Sequence, residues 1–485
     1  MINKLRVKLK TYWNHNVDSI GLDVFRIFYG FILVFEVSLF IYFKELILDK
    51  VPFIDSSGFG LKLLLVFWLF AALALFLGFQ SRLASIINYL CSVLFFYYTK
   101  DFEYHMIWIY LSVNFILVFT PLGNNLLLYK VFSRKKVTIP KVITKVPILF
   151  YHSLIFWGIA VVYFDSFFRK LGSSMWVNGL GVWLPASVPP AINLDLSFIL
   201  DQEFIIRFLG FFVLIFEGVL IFVFWFKPFR IFLFVIGIGF HLGILLAFPI
   251  PLFALGVCGI YLLLIPCSFW RKKIFRLVPS NELATPDFLN RKKLLISLLI
   301  LFFLIPQFYI TCQVGFLRHL TPNLFTENNR AYILRWTRIL GHFTGVVPHS
   351  VFLDNHFRGY NHVIGLVAIN GSREVWLPIV NEDGTPGYYQ SGSNWANWSF
   401  RVNSASVKMN KLKRGIIRYT IFWAHKNNIS LEDLQIEIRL KKIDIPNSWE
   451  RSFLAKQMGR DWVTIGNLNF IHNKPKIIIS EVESI

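Results

Sequence analysis

Long apolar stretches separated by short charged ones run through the first 312 residues, and this alternation constrains the fold more than any motif. A bilayer core of roughly 30 Å requires about 20 apolar residues in each helix that crosses it. Nine stretches approach that length, namely residues 20–43, 59–79, 82–99, 104–120, 147–168, 205–226, 230–249, 252–270 and 293–312. We therefore expect a polytopic α-helical membrane protein with about nine transmembrane helices.

The composition agrees with this expectation. Of the 485 residues, 55% are hydrophobic and 16% are charged, whereas soluble domains carry about 25% charged residues. The net charge of +21 is therefore interpreted as a feature of membrane topology, and the lipid bilayer, not a nucleic acid, is the expected partner. The four cysteines lie in or beside apolar stretches without metal-ligand spacing, so we predict neither a disulfide framework nor a metal site.

The placement of Lys and Arg predicts the orientation. Clusters of basic residues occupy the N-terminus and residues 130–145, 227–230 and 271–293. With nine spans all of these clusters fall on one side, which the positive-inside rule identifies as the cytoplasm. We expect a cytoplasmic N-terminus and an extracytoplasmic C-terminal domain, with a bacterial inner membrane favoured over the endoplasmic reticulum membrane.

Three regions follow from these patterns. Residues 1–275 are expected to form a transmembrane domain, residues 276–312 a cytoplasmic loop with the last transmembrane helix, and residues 313–485 a β-rich extracytoplasmic domain. An Asn370-Gly371 step between two β-prone runs is a strong hairpin signal. The segment "ISLEDLQIEIRLKKIDI" alternates apolar and polar residues as a strand does. We expect a mostly β domain with a few helical turns, including one in "SWERSFLAKQMG".

Polar residues inside membrane spans are costly and are candidates for function. The candidates are Arg26, Glu36, His105, His152, Asp165, Lys170, Glu217 and His241. Lys170 follows the fifth span, where apolar surroundings would disfavour a charged amine and leave a neutral amine able to accept a proton. The alternative is that Lys170 and its neighbour Arg169 only extend their charges to the membrane surface from a helix end.

The loop after Lys170 is apolar, aromatic and rich in Gly and Pro. It contains Trp176, and we expect it to act either as a lid over a pocket or as a re-entrant packing element. Asp165 precedes Lys170 by five residues, a poor helical spacing for a direct ion pair.

The remaining candidates have structural alternatives. His105 and Lys170 lie toward one side, where a common pocket is expected, although His105 also fits a packing role. His241 has small neighbours and fits either a buried hydrogen bond between helices or a pocket. Glu217 is a candidate partner for Arg26 or a pocket residue.

Several local patterns together resemble one family. These are "DVFRIFYGFILVFEV", "LGFQSRLASIINYL", "YHMIWIYLSVNFILVFTPLG", "VVYFDSFFRKLGSSMW" and "FHLGILLAFPIPLFALGVCGIYLLL". In order and local pattern, over roughly residues 15–275, the sequence resembles the horizontally transferred transmembrane (HTTM) family, which includes the vitamin K-dependent γ-carboxylases.

The resemblance implies a mechanism. Lys170 would be the amine that deprotonates a reduced naphthoquinone, vitamin K or menaquinone hydroquinone, and His105 would support the site. Reaction with O₂ would yield the epoxide through a strong base that removes the γ-proton of a protein glutamate, and CO₂ would then carboxylate that glutamate. Further pocket residues would be Asp165, Trp176, Glu217 and His241, with no metal. The partners would be the bilayer, a lipid-soluble quinone and a protein substrate on the outer side.

Other functions stay open from the sequence. A non-catalytic, membrane-anchored binding or envelope module would use the intramembrane polar residues only for structure. A transporter is less well supported, because the two halves show no repeat and no paired interrupted spans.

Overall fold

The apolar stretches fold as helices that pack side by side, and an α+β region follows them in the chain and packs against them. A computed structural model describes residues 11–480 except 56–57, 123–125, 127, 129–144, 276–286, 314–316, 318–326, 371–372 and 405–406. The basic N-terminal residues 1–10 and most of the basic residues of 130–145 and 276–286, on which the orientation was predicted, lie outside the described residues.

The elements are named in chain order. The helical region contains β1 (Asn16–Asp18), α1 (Ile20–Tyr42), α2 (Lys44–Leu48), α3 (Phe59–Leu77), α4 (Ser81–Tyr98), α5 (Met106–Phe119), β2 (Lys145–Pro147), α6 (Leu149–Lys170), α7 (Ser174–Val177), α8 (Trp183–Ala186), α9 (Ser197–Leu200), α10 (Glu203–Val223), α11 (Arg230–Ala247), α12 (Pro251–Leu264), α13 (Cys267–Ile274) and α14 (Asp287–Cys312). The C-terminal region contains α15 (Glu327–Thr344), α16 (Asp354–Phe357), β3 (His362–Asn370), β4 (Arg373–Trp376), α17 (Ser393–Arg401), α18 (Met409–Lys426), β5 (Gln435–Lys442), α19 (Phe453–Met458), β6 (Trp462–Ile471) and β7 (Lys474–Ile479).

Within the described ranges, six helices are long and apolar enough to cross a membrane. They are α1, α3, α6, α10, α11 with the preceding turn, and α14. The pair α12 and α13 is bent by 88° at its break and raises the number to seven if it forms one span. The predicted count of nine is therefore not confirmed. The stretch 104–120 yields a helix of only 14 residues in α5, and the polar residues of α4 keep it below the required apolarity.

A buried amide network explains the polar residues of α4 and α5. Asn88 accepts from Trp68 Nε1 at 2.7 Å and donates to Asn114 Oδ1 at 2.8 Å. Asn114 Oδ1 also accepts from the Tyr29 hydroxyl at 2.8 Å. These bonds join α1, α3, α4 and α5, and they satisfy groups that would otherwise be costly to bury.

Arg26 on α1 holds the end of α3. Its guanidinium donates to the carbonyls of Leu75 at 2.6 Å, Phe76 at 3.1 Å and Leu126, so it satisfies carbonyls left free where a helix ends. Gly78 ends α3 with φ of 81°, and a Cβ there would lie 2.9 Å from the guanidinium. Arg26 therefore has a structural role. Its guanidinium binds these carbonyls and not Glu217, which was its candidate partner.

The C-terminal domain is built on a five-stranded antiparallel sheet in the order β4-β3-β5-β6-β7. The predicted hairpin is confirmed, because Asn370 pairs with Arg373, and the alternating segment forms β5. The expectation of a mostly β domain was wrong in one respect. Helix α18 has 18 residues and buries one face, including Leu412, Ile416 and Tyr419, at helical spacing.

This domain sits on one end of the helical bundle. Trp395 Nε1 donates to the Pro190 carbonyl at 2.8 Å, and Trp449 Nε1 donates to the Leu200 carbonyl at 2.9 Å. The Asn397 amide donates to the Asp101 carbonyl at 2.8 Å. The loops of the bundle that contact the domain therefore lie at the same end of the bundle.

Candidate functional site

Helices α6, α10 and α11 surround a cavity of about 260 Å³, called the lysine cavity. Its lining side chains are almost all apolar. The lining residues with a polar atom in the side chain are Tyr163, Ser166 and Lys170 on α6, Trp176 in the following loop, Glu217 on α10 and His241 on α11. Four of the six residues predicted for the site thus come together here, namely Lys170, Trp176, Glu217 and His241.

Lys170 and Glu217 form a buried ion pair. Lys170 Nζ donates to Glu217 Oε1 at 2.5 Å, and the two residues are only 2% and 3% exposed. The amine also lies 4.2 Å from the centre of the Trp176 ring, a cation–π distance. Lys170 therefore points into the cavity and does not extend to the membrane surface, and Glu217 has the pocket role that was one of its two alternatives.

His241 belongs to a second polar group in the same cavity. Its Nε2 lies 2.5 Å from the Tyr163 hydroxyl, which lies 3.1 Å from the Tyr261 hydroxyl. Tyr163, Tyr261 and His241 come from α6, α12 and α11, so the predicted hydrogen bond between helices is present. His241 Nδ1 is buried and has no hydrogen-bond partner among the described residues. An unpaired buried nitrogen is rare in proteins and is a candidate contact for a ligand.

The loop after Lys170 covers the cavity and is tied to a distant segment of the chain. Asp354 on α16 accepts from the Ser173 hydroxyl, from the Ser174 hydroxyl at 3.2 Å and from the Met175 amide at 3.1 Å. The two serines that follow Lys170 and Gly172 therefore bind Asp354, and this explains why an apolar span ends in small polar residues.

Trp176 closes the lysine cavity beside the amine. Its Nε1 donates to the Phe352 carbonyl at 2.7 Å, and its ring packs directly over Gly181, where a Cβ would collide with it. The ring position is therefore fixed from both sides, and with it one neighbour of Lys170. The loop therefore lines the cavity, and both of its predicted roles, a lid or a re-entrant packing element, stay open.

Asp165 lies on α6 and does not line the lysine cavity. It accepts from Arg169 Nε at 2.7 Å, from the Thr311 hydroxyl at 2.7 Å and from the His349 amide at 2.6 Å. As the five-residue spacing predicted, it does not pair with Lys170; its ion pair is with Arg169 at i+4. Asp165 anchors α14 and the segment around His349 to α6.

His105 lies in a different cavity, called the histidine cavity, of about 360 Å³. The polar side chains that line it are Glu103, Tyr104, His105, Ser350 and His356. The structure therefore does not bring His105 into the cavity of Lys170, although a common pocket was expected. The physical reason is that a segment remote in sequence, including Val351 and Phe352, fills the space between them.

His105 is held by a second histidine. Its Nε2 lies 2.9 Å from His349 Nδ1. Burial, with a smaller contribution from the Arg169 charge, lowers the pKa of His349 to about 3. At neutral pH His349 is therefore uncharged, and the pair shares one proton in a neutral hydrogen bond.

The other polar candidates lie outside both cavities. His152 Nδ1 lies 2.8 Å from the Tyr12 hydroxyl and its Nε2 lies 2.9 Å from Arg230. Glu36 accepts a long hydrogen bond of 3.5 Å from Tyr104. Among the described residues, no cluster of three or more His, Cys, Asp or Glu side chains has the geometry to hold a metal ion.

Sequence reasoning missed Tyr163 and Ser166, although a signal for them exists. Tyr163, Ser166 and Lys170 follow one another at spacings of three and four, which places them on one face of a helix. Asp354 and His349 carry no comparable signal, because they reach the site from a region expected to belong to the outer domain.

The lysine cavity offers proton transfer in an apolar space. It holds a buried amine, a carboxylate in contact with that amine, and an imidazole with a free nitrogen. These groups suit a ligand that is mostly apolar and carries an acidic hydroxyl. The function of the site must be inferred from this geometry, because no family model, no curated protein and no solved structure matches the chain.

Proposed function

We propose that the chain is an HTTM-type membrane enzyme in which Lys170 removes a proton from a reduced naphthoquinone, such as menaquinone or vitamin K hydroquinone. The observation that carries this proposal is the buried pair of Lys170 and Glu217 at 2.5 Å, in an apolar cavity of about 260 Å³. Such a pair contributes little to stability compared with apolar residues of the same volume, which favours a catalytic role.

The pair gives Lys170 a route to the neutral amine that a base requires. Removing an ammonium and a carboxylate from water costs several kcal/mol for each ion. Transfer of one proton along the 2.5 Å hydrogen bond from Lys170 to Glu217 removes both charges. Glu217 then stores the proton while Lys170 accepts another one from the ligand, and the Trp176 ring stabilises the ammonium that results.

The cavity fits a naphthoquinone in shape and chemistry. Val213, Phe240 and Ile244 are among the apolar residues that line it, and they match the fused rings. The free Nδ1 of His241 provides a hydrogen-bonding group for a ring oxygen, and the Tyr163 hydroxyl fixes the imidazole through Nε2. When bound, the hydroquinone supplies its reaction with O₂, in which one oxygen atom enters the ring as an epoxide and the other leaves with the two hydroxyl hydrogens as water.

Carboxylation of a protein glutamate by CO₂, which the resemblance implies, is a second stage of the same proposal. His105 would support that stage from the histidine cavity, which lies toward the C-terminal domain. The stage becomes testable once epoxide formation is established.

The proposed orientation places the N-terminus in the cytoplasm and the C-terminal domain outside, with the bilayer supplying the quinone. Contacts of the domain support this orientation. Asp101, Pro190 and Asp201 belong to loops that the charge pattern assigns to the outer side, and all three contact the C-terminal domain.

The test is O₂-dependent epoxide formation by the purified chain in lipid nanodiscs containing reduced menaquinone. We expect epoxide from the wild type and a rate lower by a factor of about 10² or more for Lys170→Met, the range lost with a general base. Lys44→Met is the matched control, because the Lys44 side chain is 37% exposed and does not line the cavity. Full activity of Lys170→Met would contradict the proposal.

A non-catalytic binding module is the second candidate, and the apolar lining of the cavity favours it equally. The two differ in outcome. Quinone that quenches tryptophan fluorescence without yielding epoxide, in both the wild type and Lys170→Met, would support the binding module.

A further inference from the structure

The lysine cavity and the histidine cavity are neighbours with a shared wall. Phe253, Val351 and Phe352 line both of them. Phe352 has contacts on both sides of this wall, as the next observations show.

Phe352 is held in an unfavourable backbone conformation. Its φ is 53°, in the left-handed region that bulky residues rarely adopt. The Trp176 indole binds its carbonyl at 2.7 Å, and its ring lies 5.0 Å from that of Phe248 and 6.1 Å from that of Phe357. Such a conformation persists only where the surroundings fix it, and it is often found at functional sites.

The two cavities differ in chemistry and in access. The lysine cavity is lined mainly by apolar side chains, whereas the histidine cavity contains Glu103, His105 and His356 among aromatic rings. Glu103 is exposed at the surface, so the histidine cavity is within reach of solutes in water.

We propose that Phe352 is a specificity-determining residue: its ring closes the lysine cavity toward the histidine cavity, limits the size of the ligand beside Lys170 and excludes water-borne molecules from it. The identity of that ligand as a naphthoquinone rests on the proposed function. The partition itself does not.

The partition is tested by cysteine labelling in nanodiscs with a small, positively charged methanethiosulfonate reagent that does not enter lipid. Ser166→Cys reports on the lysine cavity and Ser350→Cys on the histidine cavity, and mass spectrometry of each peptide separates them from the native cysteines. We expect Ser350→Cys to be labelled readily and Ser166→Cys slowly. Adding Phe352→Ala should raise the labelling rate of Ser166→Cys by at least about tenfold, a shift well above experimental scatter.

Two control variants enlarge one cavity without removing the wall. Phe357 lines only the histidine cavity and Phe248 only the lysine cavity. We expect Phe357→Ala and Phe248→Ala to leave the labelling rate of Ser166→Cys unchanged. An unchanged cooperative unfolding transition, followed by tryptophan fluorescence, shows that each variant is folded. The proposal is overturned if Phe352→Ala does not change the labelling rate of Ser166→Cys. It is also overturned if Phe357→Ala or Phe248→Ala raises that rate as much as Phe352→Ala does.

Ligand size provides the second readout. The wild type should bind the two-ring menadione and reject the three-ring anthraquinone, and Phe352→Ala should gain at least about tenfold in affinity for anthraquinone. If labelling changes as expected but neither quinone binds, the partition stands and the proposed function fails. If menadione binds and labelling is unaffected by Phe352→Ala, quinone binding in the lysine cavity stands and the partition fails.

Discussion

Separate and joint replacement of Lys170 and Glu217 should show that their ion pair serves chemistry more than stability. Both side chains are buried, and the amine and carboxylate are 2.5 Å apart. Lys170→Met leaves a carboxylate without its partner, and Glu217→Leu leaves an ammonium without its partner. Removal of one member of a buried pair typically costs about 3–5 kcal/mol, because the other charge remains uncompensated.

The double variant should behave differently. Lys170→Met with Glu217→Leu replaces two buried charges by apolar side chains of similar size, and such exchanges are often neutral or stabilising. We expect its free energy of unfolding to return to within about 1 kcal/mol of the wild type, while epoxide formation stays abolished. Stability and activity would thus separate within one set of variants.

The assay is denaturation in mixed micelles with increasing dodecyl sulfate, followed by tryptophan fluorescence. Additive losses, with the double variant as unstable as the two single variants summed, would refute the reasoning, as would single variants that each lose less than about 1 kcal/mol.

Three further predictions concern the surroundings of the site. Gly243→Leu should fill the lysine cavity and abolish menadione binding without unfolding the chain, because a Cβ at Gly243 meets no atom within 4 Å. Gly60→Leu is the control, because a Cβ at Gly60 is equally unobstructed and Gly60 does not line the cavity. Equal menadione binding by both variants would contradict the assignment of Gly243 to the cavity. In the folded chain the pKa of His349 is about 3, whereas the unfolded residue takes up a proton near pH 6.5. The free energy of unfolding should therefore fall as the pH drops from about 6.5 to about 3, by ~1.4 kcal/mol per pH unit from this residue. His349→Gln should flatten that slope, and an unchanged slope counts against the assignment. Asp354→Ala should speed hydrogen exchange at the Met175 amide, which it binds at 3.1 Å, whereas Asp354→Asn should preserve most of the protection.

The long apolar stretches predict most of the helices of the fold, because burial or lipid is the only favourable environment for them. Three predicted spans are not confirmed as single membrane-crossing helices, and each has a physical reason. Helix α5 is short, and α4 contains Asn88, which the amide network needs. The stretch 252–270 contains Pro266, which breaks a helix by removing a hydrogen-bond donor.

The sequence predicts individual residues of the candidate site but not which of them lie together. Lys170, Glu217 and His241 stand out as polar groups in apolar spans. Their contact depends on how α6, α10 and α11 pack, and the chain between Lys170 and Glu217, which are 47 positions apart, carries no signal of it. The separation of His105 from Lys170 was equally hidden, because Phe352 reaches the bundle from outside the apolar stretches.

Chemical rescue tests the central claim, that the Lys170 amine is the base, most directly. Lys170→Ala in nanodiscs with reduced menaquinone and O₂ would be supplied with small primary amines that cross lipid in their neutral form, such as ethylamine and its less basic trifluoro analogue. The account predicts that epoxide formation returns with added amine and is faster with the more basic one. No rescue by any amine, in a variant that still binds menaquinone, or a rescued rate that does not depend on amine basicity, would contradict it.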